Sequence, residues 1–470
     1  MDKHMKNEII MRLFKAVSVL GNTVLFMLYF YLSSPTLRQI DKHLTPYILF
    51  TLIFLIIDIW LARVYNAFEV GGRKVYELIY SLTLSSAVAS GIMYIVQAAF
   101  LHKIPNLLML FGVFTAEFIW NTVWVFAANK IYFKLYKAKK TVVIYRSEND
   151  LQKLEEISSL SSKFEVVKHI ENPKEIHSLI EEIGDCEAVF IAGVEATLRN
   201  GIIKYCVEKH IPAYIEPKIG DILMSGAKHM QMFSVPVLRV RHAAPDPFYL
   251  FIKRVIDIVL SLVGIIVTSP IMLFMAITIK TYDGGPVFYK QTRLTKDGKE
   301  FQLIKFRTMR VDAEKDGVAR LASENDDRII PVGRAYRRFR LDELGQLWCI
   351  LLGTMTIVGP RPERPEIAKQ YEETLPAFAL RLQVKAGLTG YAQIYGKYNT
   401  EPYDKLQMDL MYINDMSLSC DIGLMFATVK ILFMPESTEG IKAGQVTAIN
   451  TVRVQGEQEI GETENDKATV

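Results

Sequence analysis

Asp342 and Glu343 stand side by side in Leu341-Asp342-Glu343-Leu344, and Arg337, Arg338 and Arg340 lie within five residues of Asp342. Such a pair at a helix start suits the macrodipole, and the bland reading is an acidic first turn beside solvated arginines. The same residue types also serve phosphoryl chemistry. A carboxylate can attack and form an acyl phosphate. Mg2+ takes one or two carboxylates plus phosphate oxygens, and a guanidinium fits phosphate with two prongs. Upstream, Lys305-Phe306-Arg307-Thr308-Met309 supplies two more cations. Downstream, Val358-Gly359-Pro360-Arg361-Pro362-Glu363 fixes an arginine in a stiff, proline-flanked loop, which suits pyrophosphate better than a mobile one. Leu341, Leu344, Leu347, Trp348 and Leu351 recur at helical spacing. They predict one helix with an apolar face, on which the two acids are about 100° apart.

The elements that must position this chemistry begin in lipid. The chain has 470 residues, 55 Lys+Arg against 51 Asp+Glu, and a net charge of +4. Its mean hydropathy of +0.17 is high for a soluble protein. Disordered, collagen-like and coiled-coil chains are excluded, and a charge so near zero argues against nucleic acid as a partner. Four apolar runs, Ala16–Leu32, Tyr47–Ala62, Leu78–Leu101 and Leu107–Ala128, each approach the roughly 20 residues that span a bilayer. Twelve basic residues flank the N-terminus, the second connection and the stretch after the fourth run, against three (Arg38, Lys42, Lys103) in the other connections. The positive-inside rule then puts the N-terminus and everything after Lys140 in the cytoplasm. Asp58, Gln97 and Glu117 fall inside the runs, where ionisable groups point to function unless they sit near helix ends.

From Thr141 short apolar strands alternate with polar helical stretches, which predicts a parallel, Rossmann-like α/β domain. The strands expected are Thr141–Tyr145, Phe164–Lys168, Ala188–Ile191, Ala213–Ile215 and Val235–Val240. The first turn, Tyr145-Arg146-Ser147-Glu148-Asn149-Asp150, lacks the glycines that let a backbone approach a pyrophosphate. A structural, oligomerising or regulatory role suits it better than nucleotide binding. A fifth apolar segment, Ile258–Ile279, carries Ser269-Pro270 near its centre, where a break or sharp bend is expected. Basic residues bracket it on both sides, which favours a re-entrant hairpin over a spanning helix. Cys186, Cys206, Cys349 and Cys420 have no metal or disulfide spacing.

Seven features follow in order: Lys253-Arg254-x-x-Asp257, Ser269-Pro270, Gly285-Pro286-Val287-Phe288, Lys305-Phe306-Arg307-Thr308-Met309, Leu341-Asp342-Glu343-Leu344, Val358-Gly359-Pro360-Arg361-Pro362 and Lys385-x-Gly387-Leu388-Thr389-Gly390-x-x-Gln393. Together they resemble the bacterial sugar transferase family of polyprenyl-phosphate glycosyl-1-phosphate transferases, and the front end resembles its large members. The resemblance implies transfer of sugar-1-phosphate from a UDP-sugar, glucose or galactose foremost, to undecaprenyl phosphate, with release of UMP, as the first membrane step of exopolysaccharide or capsule synthesis. It implies Asp342 as nucleophile, Glu343 as its partner, and Mg2+ on one or both. Lys305, Arg307, Arg340, Arg361 and Gln393 would bind substrate or phosphate. Where the family often has Pro, Asn and Lys, this chain has Gly345, Cys349 and Leu352.

The organisation expected is a multi-domain membrane protein of the bacterial cytoplasmic membrane. It comprises four transmembrane helices (1–140), an α/β domain through which the chain could dimerise (141–245) and a re-entrant hairpin (246–285). A mainly helical catalytic domain (286–440) and a polar tail (441–470) follow. A catalytically silent scaffold for polysaccharide assembly is the alternative, which the acid pair and basic motifs disfavour. A five-helix transporter is disfavoured by the large polar C-terminal half.

Overall fold

The computed structural model describes residues 3–34, 45–159, 163–173, 175–311, 313, 328–396 and 401–432. The chain forms two compact units, Met1–Glu216 and Pro217–Val470. The expected polar tail lies outside the described residues.

In the first unit each apolar run lies in one long helix: α1 (Lys3–Ser33), α2 (Thr45–Val64), α3 (Val75–Leu101) and α4 (Leu107–Leu135). Each packs on the next and α1 closes onto α4, making a four-helix bundle. All four are long and apolar enough to cross a membrane. Leu13, Val24, Ile56, Ile95 and Phe126 point outward, an apolar face that suits lipid better than water. Inside, Phe26 stacks on Phe54 with ring centres 4.2 Å apart. Asp58, Gln97 and Glu117 are no more than 1% exposed, so they belong to the bundle interior.

The chain then enters β1 (Lys139–Tyr145), α5 (Glu148–Ser159), β2 (Phe164–Glu171), α6 (Ile176–Ile183), β3 (Ala188–Ile191), α7 (Ala196–Glu208) and β4 (Ala213–Ile215). The strands make one parallel sheet in the order β2-β1-β3-β4. Ala188–Ile191 is buried throughout, as a strand covered on both faces must be. The order switches between β1 and β3, the place where such sheets bind ligands. Here Asp150 occupies it. Its Oδ2 accepts from the Ser147 amide and hydroxyl at 3.0 and 2.8 Å, and a Cβ on Gly193 would meet that oxygen at 2.1 Å.

One expected strand of that sheet is elsewhere. In the second unit, after α8 (Ile219–Ser225), β6 (Val235–Arg239) pairs antiparallel with β5 (Lys228–Met232), so the parallel sheet ends at β4 and the first compact unit at Glu216. Apolar alternation identifies a strand without naming its partner. The nearest edge available to β6 is the strand it follows by a tight turn at Phe233, whose φ is +55°.

Helix α9 (Pro247–Asp283) runs unbroken through Pro270, contrary to the expected break. Pro270 cannot donate to the Ile266 carbonyl, but the Ser269 hydroxyl does so at 2.7 Å. The Thr268 hydroxyl likewise takes the Gly264 carbonyl at 2.7 Å. The two ends of α9 are tied to the same unit. At one end Arg254 donates to the Ile350 and Leu351 carbonyls, and Asp257 accepts from Thr356 Oγ1 and the Ile357 amide. At the other, Thr278 bonds the Tyr336 hydroxyl and Asp283 pairs with Arg307. Between these anchors Leu262, Val263, Ile266, Val267, Leu273 and Phe274 are exposed.

The remainder is a hairpin, β7 (Phe288–Leu294) with β8 (Glu300–Phe306), then α10 (Pro331–Arg338) and α11 (Gln346–Leu352). Strand β9 (Thr356–Val358), α12 (Pro365–Thr374), β10 (Gly387–Thr389), α13 (Tyr391–Tyr395), α14 (Pro402–Asn414) and α15 (Leu418–Leu432) complete it. Its core gathers Tyr371, Phe378, Leu406, Leu410 and Tyr412. The four cysteines are free thiols.

Candidate active site

The acid pair does not begin an α-helix. Leu341–Gly345 is a 3-10 turn, with Arg340 left-handed (φ 52°) before it and α11 after it. At three residues per turn the two acids diverge by about 120°. Asp342 turns inward and is 8% exposed. Glu343 turns toward the hairpin and the arginine loop, where its Oε1 meets Lys305 Nζ at 3.2 Å and Arg361 Nη2 at 3.4 Å. Gly345 permits the turn to lie on β8, because a Cβ there would meet the Ile304 carbonyl oxygen at 2.9 Å. Of the expected apolar face, Leu341 and Leu344 pack against one buried cluster and Leu347 against another. Gln346, Cys349 and Ile350 are buried, while Trp348 and Leu352 are 42% and 74% exposed. Leu347 also lies against Gly264 of α9.

The arginine loop is fixed from below by a crossing of glycines. Gly359 donates to the Thr389 carbonyl and Gly387 to the Pro360 carbonyl, both at 2.8 Å. A Cβ on Gly387 would lie 2.1 Å from the Gly359 amide nitrogen, so only glycine allows this approach. Two arginines, one buried and one half-buried, hold the loop's carbonyls: Arg381 donates to Arg361 O at 2.8 Å and Arg293 to Pro362 O at 3.1 Å. Arg381 is itself paired with Asp409 at 2.7 Å, both being almost fully buried. These residues are invisible to motif reading. The available signal was a charge at Asp409 on the apolar side of α14, between Leu406 and Leu410.

The electrostatics divide the pair. Burial raises the Asp342 carboxyl above its ordinary value against the pull of Lys305, and the Glu343 charge pushes the same way. Burial also raises Glu343, but Lys305, Arg361 and Arg340 outweigh it and bring that carboxyl down to about 2. Glu343 is therefore the fixed anion and Asp342 the strained one. For Mg2+, the described residues contain no cluster of three His, Cys, Asp or Glu. The pair nonetheless fits it, because four carboxylate oxygens, one of them engaged by Lys305 and Arg361, leave the one or two protein ligands that Mg2+ takes beside waters and phosphate oxygens.

The structure thus brings Asp342, Glu343, Lys305 and Arg361 together, with the Arg340 charge acting on Glu343. Arg307 is engaged away from the acid pair. It lies at 5% exposure, with its Nη atoms on both Asp283 oxygens at 2.5 and 2.6 Å, its Nε on Pro286 O and Nη1 also on Met309 O. A guanidinium so committed pins the end of α9 to β8 and has no fork left for phosphate. The neighbouring Arg337, which donates to Thr308 Oγ1 at 3.0 Å, acts on Asp342 instead. Gln393 sits by Gly390, behind the arginine loop, with both amide atoms buried and unpartnered.

Residues 248–435 match the family model described as bacterial sugar transferase, a span that contains every residue of this site. The chain is 34% identical over 232 residues to a UDP-N-acetylgalactosamine-undecaprenyl-phosphate N-acetylgalactosaminephosphotransferase of Aeromonas hydrophila, covering 48% of this chain and 53% of that one. It is 38% identical over 204 residues to the UDP-glucose:undecaprenyl-phosphate glucose-1-phosphate transferase of Escherichia coli (strain K12), covering 42% and 44%. The chain spans about half the length of these two relatives. The exopolysaccharide production protein PSS of Rhizobium leguminosarum bv. phaseoli is 38% identical over 191 residues, 38% of this chain and 94% of that protein. On this match to nearly the whole of a relative, joined to the acid pair and its cations, the chain belongs to the bacterial sugar transferase family.

Proposed function

We propose that this protein transfers sugar-1-phosphate from a UDP-sugar to undecaprenyl phosphate, releasing UMP, as the membrane-committed step of exopolysaccharide or capsule synthesis. The observation that carries it is the split acid pair beside Lys305 and Arg361. An Asp342 oxygen attacks the sugar-bearing phosphorus, the bond from that phosphorus to the bridging oxygen breaks, and UMP leaves with the electron pair. An oxygen of undecaprenyl phosphate then attacks the same phosphorus and returns the Asp342 carboxylate. Lys305 and Arg361 hold Glu343 as an anion and present positive charge where phosphate charge builds. Mg2+, held by Asp342 and Glu343, would supply further charge neutralisation.

The lipid half-reaction needs a phosphate head group at the interface while its chain stays in lipid. Anchoring of both ends of α9 on one unit, with an apolar stretch between, supports a re-entrant seat in one leaflet. The basic flanks support a cytoplasmic location for the N-terminus and the catalytic unit. Glucose and galactose are the donors favoured, and the α/β domain is the place for a homodimer contact. The test is UMP release by purified protein with undecaprenyl phosphate over a panel of UDP-glucose, UDP-galactose and their N-acetylated forms. One preferred donor, and no release by folded Asp342→Asn protein, is expected. Release by Asp342→Asn near the wild-type rate would remove the assignment.

A further inference from the structure

The catalytic reading leaves the first strand of the hairpin unused, although β7 carries a row of polar groups toward the site. In the pairing of β7 with β8, Tyr289 stands opposite Lys305, Gln291 opposite Leu303 and Arg293 opposite Phe301. Opposed residues of an antiparallel pair share a face, and every second residue along a strand returns to it. Tyr289, Gln291 and Arg293 therefore lie on the face from which Lys305 reaches Glu343 at 3.2 Å.

Hydrogen bonds link this row to the arginine loop. Arg293 Nη1 donates to Pro362 O at 3.1 Å and the Leu294 amide to Glu363 O at 2.9 Å, which fastens β7 to the loop. Arg293 Nη2 donates to Gln291 Oε1 at 2.7 Å, and Gln291 Nε2 donates to the Tyr289 hydroxyl oxygen at 3.2 Å. Arg361, next to Pro362, closes the ring on Glu343 Oε1 at 3.4 Å, the same oxygen that Lys305 holds. The directions of these bonds are fixed. A guanidinium only donates, so the Gln291 oxygen must face Arg293 and its NH2 must face Tyr289. The tyrosine oxygen accepts in that bond, which leaves its own proton to give. Tyr289 is 38% exposed, whereas Gln291 and Arg293 behind it are half-buried.

We propose that Tyr289 is a further nucleotide-binding residue: its hydroxyl gives a hydrogen bond to a diphosphate oxygen of the nucleoside-diphosphate sugar, and Arg293 and Gln291 set the direction of that bond. This rests on the proposed transfer reaction, which puts phosphate charge beside Lys305 and Arg361. Opposed Cβ atoms of an antiparallel pair are about 5 Å apart, and both side chains are long, so a phosphate held by Lys305 lies within reach of the Tyr289 phenol. UDP itself is the probe, titrated calorimetrically into the full-length protein in nanodiscs, with UMP release from a UDP-sugar measured on the same preparations. Tyr289→Phe keeps the ring and removes only the hydroxyl. It is expected to weaken UDP about tenfold, the size for one hydrogen bond to a charged oxygen. Gln291→Glu keeps the bond from Arg293 but turns the Tyr289 proton toward the new carboxylate, and should cost a similar factor. The double variant should bind UDP no more weakly than Tyr289→Phe alone, because both changes remove the same bond. This pattern of UDP affinities with no UMP release by wild type would sink the transfer reaction and leave the UDP contact standing. Unchanged UDP affinity in Tyr289→Phe, a further tenfold loss in the double variant, or no saturable binding of UDP by wild type would each overturn the proposal.

Discussion

Removal of the Arg381 guanidinium separates positioning from stability. Arg381 is 3% exposed, lies 2.7 Å from Asp409, which is 1% exposed, and donates to the Arg361 carbonyl at 2.8 Å. Its guanidinium also lies 4.8 Å from the Phe378 ring centre. Arg381→Met leaves the Asp409 carboxyl buried without its cation, a loss of about 3–5 kcal/mol. At about 2–4 °C per kcal/mol for a unit of this size, the midpoint should fall by about 10 °C. Asp409→Leu added to it removes the orphaned carboxyl and should restore the midpoint to within about 3 °C, since apolar replacement of a buried pair is often close to neutral. The double variant still lacks the donor to Arg361 O. Its UMP release should therefore remain about ten- to a hundredfold below wild type in kcat/KM, the cost of a misplaced phosphate ligand. The assay pairs thermal melts with UMP release on the same preparations. A double variant that recovers both stability and kcat/KM would refute the positioning argument.

Three further outcomes follow from the geometry. Because Glu343 is depressed to about 2, its anionic form is retained down to acid pH and lost only as pH falls through that value. Lys305→Met should lower kcat/KM about ten- to a hundredfold and move the acid limb of UMP release upward, and an unmoved limb counts against the pairing. Asp342 is raised, so its favourable contribution to stability is full below its ordinary 3.8 and lost as pH rises through the raised value. Asp342→Asn should then abolish release at neutral pH while holding or raising the midpoint by about 2 °C, and a clear fall would contradict the strained-acid reading. Gly387→Ala would push a methyl onto the Gly359 amide nitrogen and should cost about 1–3 kcal/mol in denaturant unfolding, with no change marking the crossing as loose.

The parts legible in sequence were those written in contiguous residues. The four apolar runs became α1–α4 because a spanning helix satisfies its own backbone. The strands of the parallel sheet were readable because each is a short apolar run between helices. Asp342, Glu343, Lys305 and Arg361 converge as their motifs suggested. The rest depended on pairings across long separations. Nothing in Lys305–Met309 says that Arg307 will be taken by Asp283, 24 residues earlier. Nothing near Arg381 points to Asp409. Pro270 reads as a helix breaker, and only the Ser269 hydroxyl on Ile266 O lets α9 continue. Within the apolar stripe Leu341–Leu351, Leu341, Leu344 and Leu347 pack on buried clusters while Trp348 faces outward, because a periodic face does not say what will cover each of its positions.

In the proposed reaction Asp342 carries the phosphosugar, and trapping detects that adduct itself. Purified protein is mixed with a UDP-sugar labelled in the sugar, without undecaprenyl phosphate, then quenched in acid, digested and mapped. UMP release of no more than one equivalent is expected, with label on the peptide containing Asp342, discharged when undecaprenyl phosphate is added before the quench and absent from Asp342→Asn. UMP release that requires undecaprenyl phosphate with no labelled protein at any time, or label that persists in Asp342→Asn, would contradict it.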